Sequence, residues 1–395
     1  MDNSGTETDS SHVKLISQGI VCSMPDAPFG YFAWPSLVRQ ENGTLCLVAS
    51  GFRKSHVCPW GRTVITKSQD NGQTWSPMKI VNNSPIDDRD AGIVDLGHGR
   101  LALTWFSENT MNILNRRRLP DGTWPEAYKD HVAICSKWSH ELIEKELGSW
   151  TRVSEDGEYW GEQRRAPVTS PHGFCLLKDG SWLYLGKDFS TLGEGTDLHP
   201  DQNSEIIAVR SMDEGRTWQK LGTVPRPDYI PANSCYEPHV IELGSGELLG
   251  AVRVEGRYQE IDGVKSSIRG LAPKGEVDFR TMMTRSSDGG KTWSIMEETC
   301  SRGTPPHLLL HSSGAIICSY GYRRKPFGQR CMISYDNGRT WKCHIIRDDG
   351  FNMDLGYPSS AELPDGSILT IYYQIEKPNA NCSILWSRWE LPDKG

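Results

Sequence analysis

A chain of 395 residues with 43 Lys and Arg against 50 Asp and Glu has a formal net charge of −7. That balance excludes the broad basic face of a nucleic-acid binder, but it leaves room for an anionic substrate held by a few clustered arginines. Fourteen Trp and 39 Gly, with little helical periodicity, point to many short strands and tight turns. No stretch is long and apolar enough to span a membrane.

Residues 1–11 are polar and acidic and read as a disordered tail. They lack the basic and apolar runs of an export leader, so a cytoplasmic setting is expected. Strand-like apolar runs then flank a Gly-containing turn six times, at Asn42-Gly43, His98-Gly99, Asp179-Gly180, Ser245-Gly246, Ser313-Gly314 and Asp365-Gly366. Each reads as a hairpin between two inner strands, so six repeats are expected in one domain over 1–395. The inner strands should begin near Trp34, Asp90, His172, His239, His307 and Ser359. The last repeat lacks an outer strand after Ser383-Ile-Leu-Trp-Ser-Arg-Trp389, and Val13–Val21 is expected to supply it, because closing the ring removes exposed edges.

Two segments read as insertions in the second repeat. Residues 107–130 carry Arg116-Arg117-Arg118, expected as a solvated loop, and 139–148 is the one expected helix, capped by Ser139 and ended by Gly148. Residues 254–278 form a long polar insertion in the fourth repeat. The eleven cysteines form no Cys-x-x-Cys pair, and several lie in apolar runs. They are expected to be reduced and buried.

A second repeat lies on the outer hairpins of repeats one, three, four and five. Ser-x-Asp-x-Gly-x-Thr-Trp occurs at Ser68–Trp75, Ser211–Trp218, Ser286–Trp293 and Ser334–Trp341. The Asp accepts turn amides, the Gly takes positive φ, and the Trp packs back on the strands. Asp70, Asp213, Asp288 and Asp336 are therefore expected to be structural.

With this pattern, the Asp-box, the chain resembles the sialidase (neuraminidase) superfamily. The resemblance implies an all-β, six-bladed β-propeller and an exo-glycosidase acting on a terminal anionic sugar, sialic acid or a related keto-sugar. It implies a glycan or small anionic sugar as the partner and no cofactor or metal. It further implies a tyrosine nucleophile assisted by a glutamate, arginines clamping the substrate carboxylate, and a carboxylic acid that protonates the leaving oxygen. Tyr357, in Gly356-Tyr-Pro-Ser-Ser360, matches the nucleophile, and Glu237, in Tyr236-Glu-Pro-His239, matches its base. Arg253 and Arg330 match two clamp arginines, with Arg323 and Arg324 as rivals to Arg330. Arg53 matches a third.

The first repeat departs from the family. Phe32-Ala33-Trp34-Pro35 has no arginine where the family has one, and no carboxylate follows Arg53 closely, the nearest titratable group being His56. Asp87-Asp88-Arg89-Asp90 in the second repeat offers replacements: Arg89 for the clamp and Asp90 for the acid, with His56 as the alternative acid. His172, His239 and His307 are read first as hydrogen-bonded structure, with metal binding as the rival. A hydrolase or lyase for another sugar, and a glycan-binding propeller without turnover, remain alternative readings.

Overall fold

The computed structural model describes residues 10–189, 205–257, 259–261, 264–266 and 277–394. They form a ring of six mostly four-stranded antiparallel sheets, a β-propeller. Blade one runs outward through Tyr31–Arg39, Leu45–Arg53, Arg62–Ser68 and Lys79–Asn82. Blade two begins with Asp87–Gly97, blade four with Cys235–Glu242, blade five with Pro306–Leu310 and blade six with Gly356–Glu362. In blade three the innermost position is split into Val168–Thr169 and Cys175–Leu176, both paired with Trp182–Asp188. All six expected inner turns are present, and Gly43, Gly99, Gly180, Gly246, Gly314 and Gly366 all adopt positive φ.

Ring closure follows the expected route. Lys14–Cys22 pairs with Cys382–Glu390 as the outer strand of blade six. Ser11–His12 adds a parallel strand to the outer edge of blade five, against Lys342–Arg347. The N-terminal segment thus stitches two blades together. Residue 11 of the expected tail lies in this strand, while residues 1–9 lie outside the described residues, as does most of the 254–278 insertion.

The apolar core is divided among the blade contacts. Six clusters fill the six junctions, from Leu47, Trp34 and Ile371 between blades one and six to Leu249, Ile316 and Met332 between four and five. A flat sheet with two apolar faces needs a neighbour on each side, and a closed ring provides both.

The four Ser-x-Asp-x-Gly-x-Thr-Trp turns join third and fourth strands. In each, one Asp oxygen accepts from a backbone amide four residues on, at 2.8 or 2.9 Å, and the other from the Thr hydroxyl. The Thr74, Thr217 and Thr292 hydroxyls and amides hold Asp70, Asp213 and Asp288 down to about 2. The four Trp rings pack against the clusters at blade junctions. A fifth, abbreviated turn escaped the sequence reading: Asp156 accepts from Ser154 and from the Glu158 and Tyr159 amides in blade two.

Helix α3 (His140–Glu146) forms as expected, with Ser139 Oγ accepting from Leu142 N at 3.1 Å. Two further helices, α1 (Thr110–Asn115) and α2 (Lys129–Cys135), were not expected. Each is too short for its own periodicity to register, and they hold together through a small cluster of Leu114, Cys135 and Val57. Arg116, Arg117 and Arg118 are exposed, as expected.

One cysteine expectation is corrected. Cys300 and Cys343 form a disulfide across the outer edges of blades four and five, and the other nine cysteines are free. The pair lies 43 residues apart in sequence, and only the packing of adjacent blades brings it together.

Candidate active site

One backbone device builds the mouth of the propeller. The innermost strands of blades one, two, four and six each shift register at a bulge: between Ala33 and Ser36, Arg89 and Gly92, Tyr236 and His239, and Gly356 and Ser359. Within each bulge one non-glycine residue has positive φ: Trp34 (53°), Asp90 (46°), Glu237 (42°) and Tyr357 (48°). Such bulges re-aim side chains, and their strain of roughly 1–3 kcal/mol per residue concentrates at functional sites. Pro35, Pro238 and Pro358 follow three of them. A proline has no ladder N–H to lose, which is why it is tolerated at a bulge. This X-Pro signal was present in the sequence and points at the same residues.

Two of the re-aimed side chains and one arginine form a connected polar group, with Asp90 beside it. Tyr357 Oη donates to Glu237 Oε1 at 2.6 Å. Arg253 Nη1 donates to Glu237 Oε2 at 2.5 Å and lies 3.3 Å from Tyr357 Oη, while its Nη2 donates to Glu255 at 2.6 Å. Burial, with the charges of Glu237 and Asp90 added, pushes the Tyr357 phenol well above its usual range, so it is neutral at rest. Asp90 is 6% exposed and its Oδ1 has no hydrogen-bond partner. Burial and then Glu237 raise it to about 7, against the pull of Arg89, Arg253 and Arg53. A carboxyl in that range can deliver a proton at neutral pH.

Trp34 follows Ala33, the position where the family arginine is missing. Its ring lies beneath two guanidinium groups, Arg89 at 4.5 Å and Arg53 at 4.7 Å. Tyr357 meets it edge-on at 6.4 Å between centroids, and His56 at 5.0 Å. His56 Nδ1 lies 2.9 Å from Asp354, a residue that sequence reasoning missed. Asp354 also accepts from Tyr31 at 3.0 Å and Tyr373 at 3.2 Å. It precedes Tyr357 by three residues at the mouth of the same strand, which was the available signal.

The expected clamp is redistributed. Arg53 is fully buried and bonds Asp87 with both terminal nitrogens, at 2.5 and 2.9 Å. Its remaining donors go to Ser50 and the carbonyls of Ser55, His56, Cys58 and Asp88. Arg330 is 3% exposed and donates to the carbonyls of Pro326, Gln329 and Arg347. Both are thus held by scaffold partners. Arg324 is engaged by Asp278. The rival Arg323 is better placed: its Nε holds Leu355 O at 3.1 Å, and its guanidinium lies 5.7 Å from the Tyr357 ring centre. It has no carboxylate partner among the described residues. Arg89, with Asp87 at 3.7 Å, is the other cation beside the site.

His172, His239 and His307 cluster on the axis, with centroids 4.7–5.8 Å apart. His239 Nδ1 accepts from Leu308 N and His307 Nδ1 from Ser360 N. Those amides leave the proton on Nε2, which is the wrong tautomer for a metal ligand at that atom. No group of His, Cys, Asp or Glu among the described residues is arranged to hold a metal ion. The cavity of about 400 Å³ that these rings line lies toward the Gly turns, at the opposite end of the inner strands from Tyr357.

No family model matches the chain. It is 23% identical over 366 residues to a sialidase of Paraclostridium sordellii, covering 87% of this chain and 81% of that one. Among solved structures it resembles a protein of unknown function from Dyadobacter fermentans, with a TM-score of 0.71, 21% identity, and 96% and 99% of the two chains covered. It also resembles the NanB sialidase of Streptococcus pneumoniae, with a TM-score of 0.62, 15% identity, and 96% and 71% covered. In fold, the chain is a six-bladed propeller of the sialidase-like kind.

Proposed function

We propose that the protein is a retaining exo-glycosidase that removes a terminal anionic keto-sugar, sialic acid or a close relative. The observation that carries this reading is the 2.6 Å hydrogen bond from Tyr357 to Glu237. A phenol is a weak nucleophile until a base takes its proton, and Glu237 is in place to take it. Tyr357 Oη attacks the anomeric carbon as its proton passes to Glu237. The leaving oxygen takes the proton of Asp90. Arg323, with Arg253 and Arg89, holds the substrate carboxylate. A neutral phenol, unlike a carboxylate nucleophile, does not repel that group, and tyrosine is the known exception among glycosidase nucleophiles.

The sialidase relatives support the reaction class. The engagement of Arg53 and Arg330 by the scaffold favours a second reading, hydrolysis of a different sugar on the same framework. Release of free sugar from a fluorogenic aryl α-sialoside, abolished in Tyr357→Phe, is the expected result. Cleavage of other aryl glycosides but not this one would replace the first reading with the second. Sugar binding without release of any product would reduce the protein to a lectin-like propeller.

A further inference from the structure

We propose that His56 and Asp354 form a second catalytic station, with His56 Nε2 as the base that deprotonates the water resolving the Tyr357-linked sugar. The inference rests on the glycosidase reading above and assigns its second half-reaction to a different residue from its first.

The geometry supports a base at this position. Asp354 is acceptor-only when ionised, so its 2.9 Å contact holds the His56 proton on Nδ1 and leaves a lone pair on Nε2. Tyr31 and Tyr373 donate to Asp354 from two further sides, fixing the carboxylate. Trp34 packs edge-on to both His56 and Tyr357, so the dyad and the nucleophile share a wall. His56 is partly exposed, so solvent can reach it, whereas Asp90 is buried.

The charges divide the two roles. Burial lowers His56; the Asp354 hydrogen bond and charge oppose this, while the Arg89 and Arg323 charges add to it. His56 is therefore neutral at pH 7 and suited to accept a proton, whereas Asp90, raised to about 7, is suited to give one. Burial would raise Asp354, but the hydrogen bonds from His56 and Tyr31 and the Arg323 charge oppose it, and the net shift is downward.

The step balances. One O–H bond of water breaks, and its proton goes to His56 Nε2. The water oxygen bonds to the anomeric carbon as the carbon–Tyr357 oxygen bond breaks. The phenolate recovers its proton from Glu237. The proton on His56 then returns through solvent to Asp90, restoring the resting state.

The test is pre-steady-state release of the fluorogenic alcohol from an aryl α-sialoside by the full chain. The wild-type protein is compared with His56→Asn and with Asp354→Asn, which keeps the contacts to Tyr31 and Tyr373. In both variants kcat should fall about 100-fold or more. A burst of one equivalent of alcohol should survive, and the sugar should accumulate on Tyr357, visible by intact mass. Azide, which needs no base, should restore turnover. Loss of the burst together with kcat, or unchanged kcat, would overturn the assignment while leaving the Tyr357 reading intact. A wild-type protein that releases no sugar would remove both.

Discussion

Asp90→Asn separates the chemistry of the acid from its cost to the fold. Asp90 is 6% exposed and its Oδ1 is unpartnered, so its ionised form is poorly solvated in the native state. Its folded value rises from 3.8 to about 7. The unfolded chain loses that proton as pH passes about 4, while the native state keeps it until about 7. Wild-type stability therefore falls as pH rises through this window. At ~1.36 kcal/mol per pH unit, the loss amounts to about 4 kcal/mol. Asparagine mimics the protonated acid and does not titrate. The difference in unfolding free energy between variant and wild type should therefore swing by about 4 kcal/mol toward the variant between about pH 4 and pH 8. Whatever fixed effect the substitution has cancels in that comparison. Denaturant titrations of both proteins across the range provide the measurement. The same variant should hydrolyse natural glycosides about 100-fold or more slowly and activated aryl glycosides much less so. A stability difference that does not change with pH would refute the shifted proton, and equal slowing of both substrate types would refute Asp90 as the acid.

Three further outcomes are expected. Arg323→Ala should weaken a carboxylate-bearing sugar by about 1.5–3 kcal/mol and spare its neutral analogue, as read by calorimetry; equal losses would remove Arg323 from the clamp. Burial lowers His239 from 6.5 to about 4, so the native state excludes a proton that the unfolded chain takes up below about pH 6.5. His239 should thus contribute about 3 kcal/mol of acid destabilisation as pH falls from about 6.5 to 4, and His239→Gln should flatten the melting temperature across that range. Asp336→Ala should cost about 1 kcal/mol of stability through its turn amides, with turnover per folded molecule unchanged; lost turnover at full stability would contradict a structural role.

Much of this architecture is legible in the sequence because it is local. A Gly turn between apolar runs, or a Ser-x-Asp-x-Gly-x-Thr-Trp turn, closes its own hydrogen bonds within eight residues, so six blades and four clasps follow from spacing alone. The starts of the inner strands follow from the same count, and the resemblance to the family's motifs picks out Tyr357 and Glu237 beside them, with Asp90 as the replacement acid. What the tertiary structure decided is which long side chains are free. Arg53, Arg323 and Arg330 look alike in sequence, but an arginine with several rotatable bonds points wherever its partners lie. Asp87 and a ring of carbonyls capture Arg53, and three carbonyls capture Arg330. Arg323 is hydrogen-bonded, among the described residues, through Nε alone, which leaves its outer nitrogens open. The pairing of His56 with Asp354 spans 298 residues and joins blade one to blade six at the seam of the ring. No local pattern encodes such a contact; it exists because the ring closes and brings the first and last blades side by side.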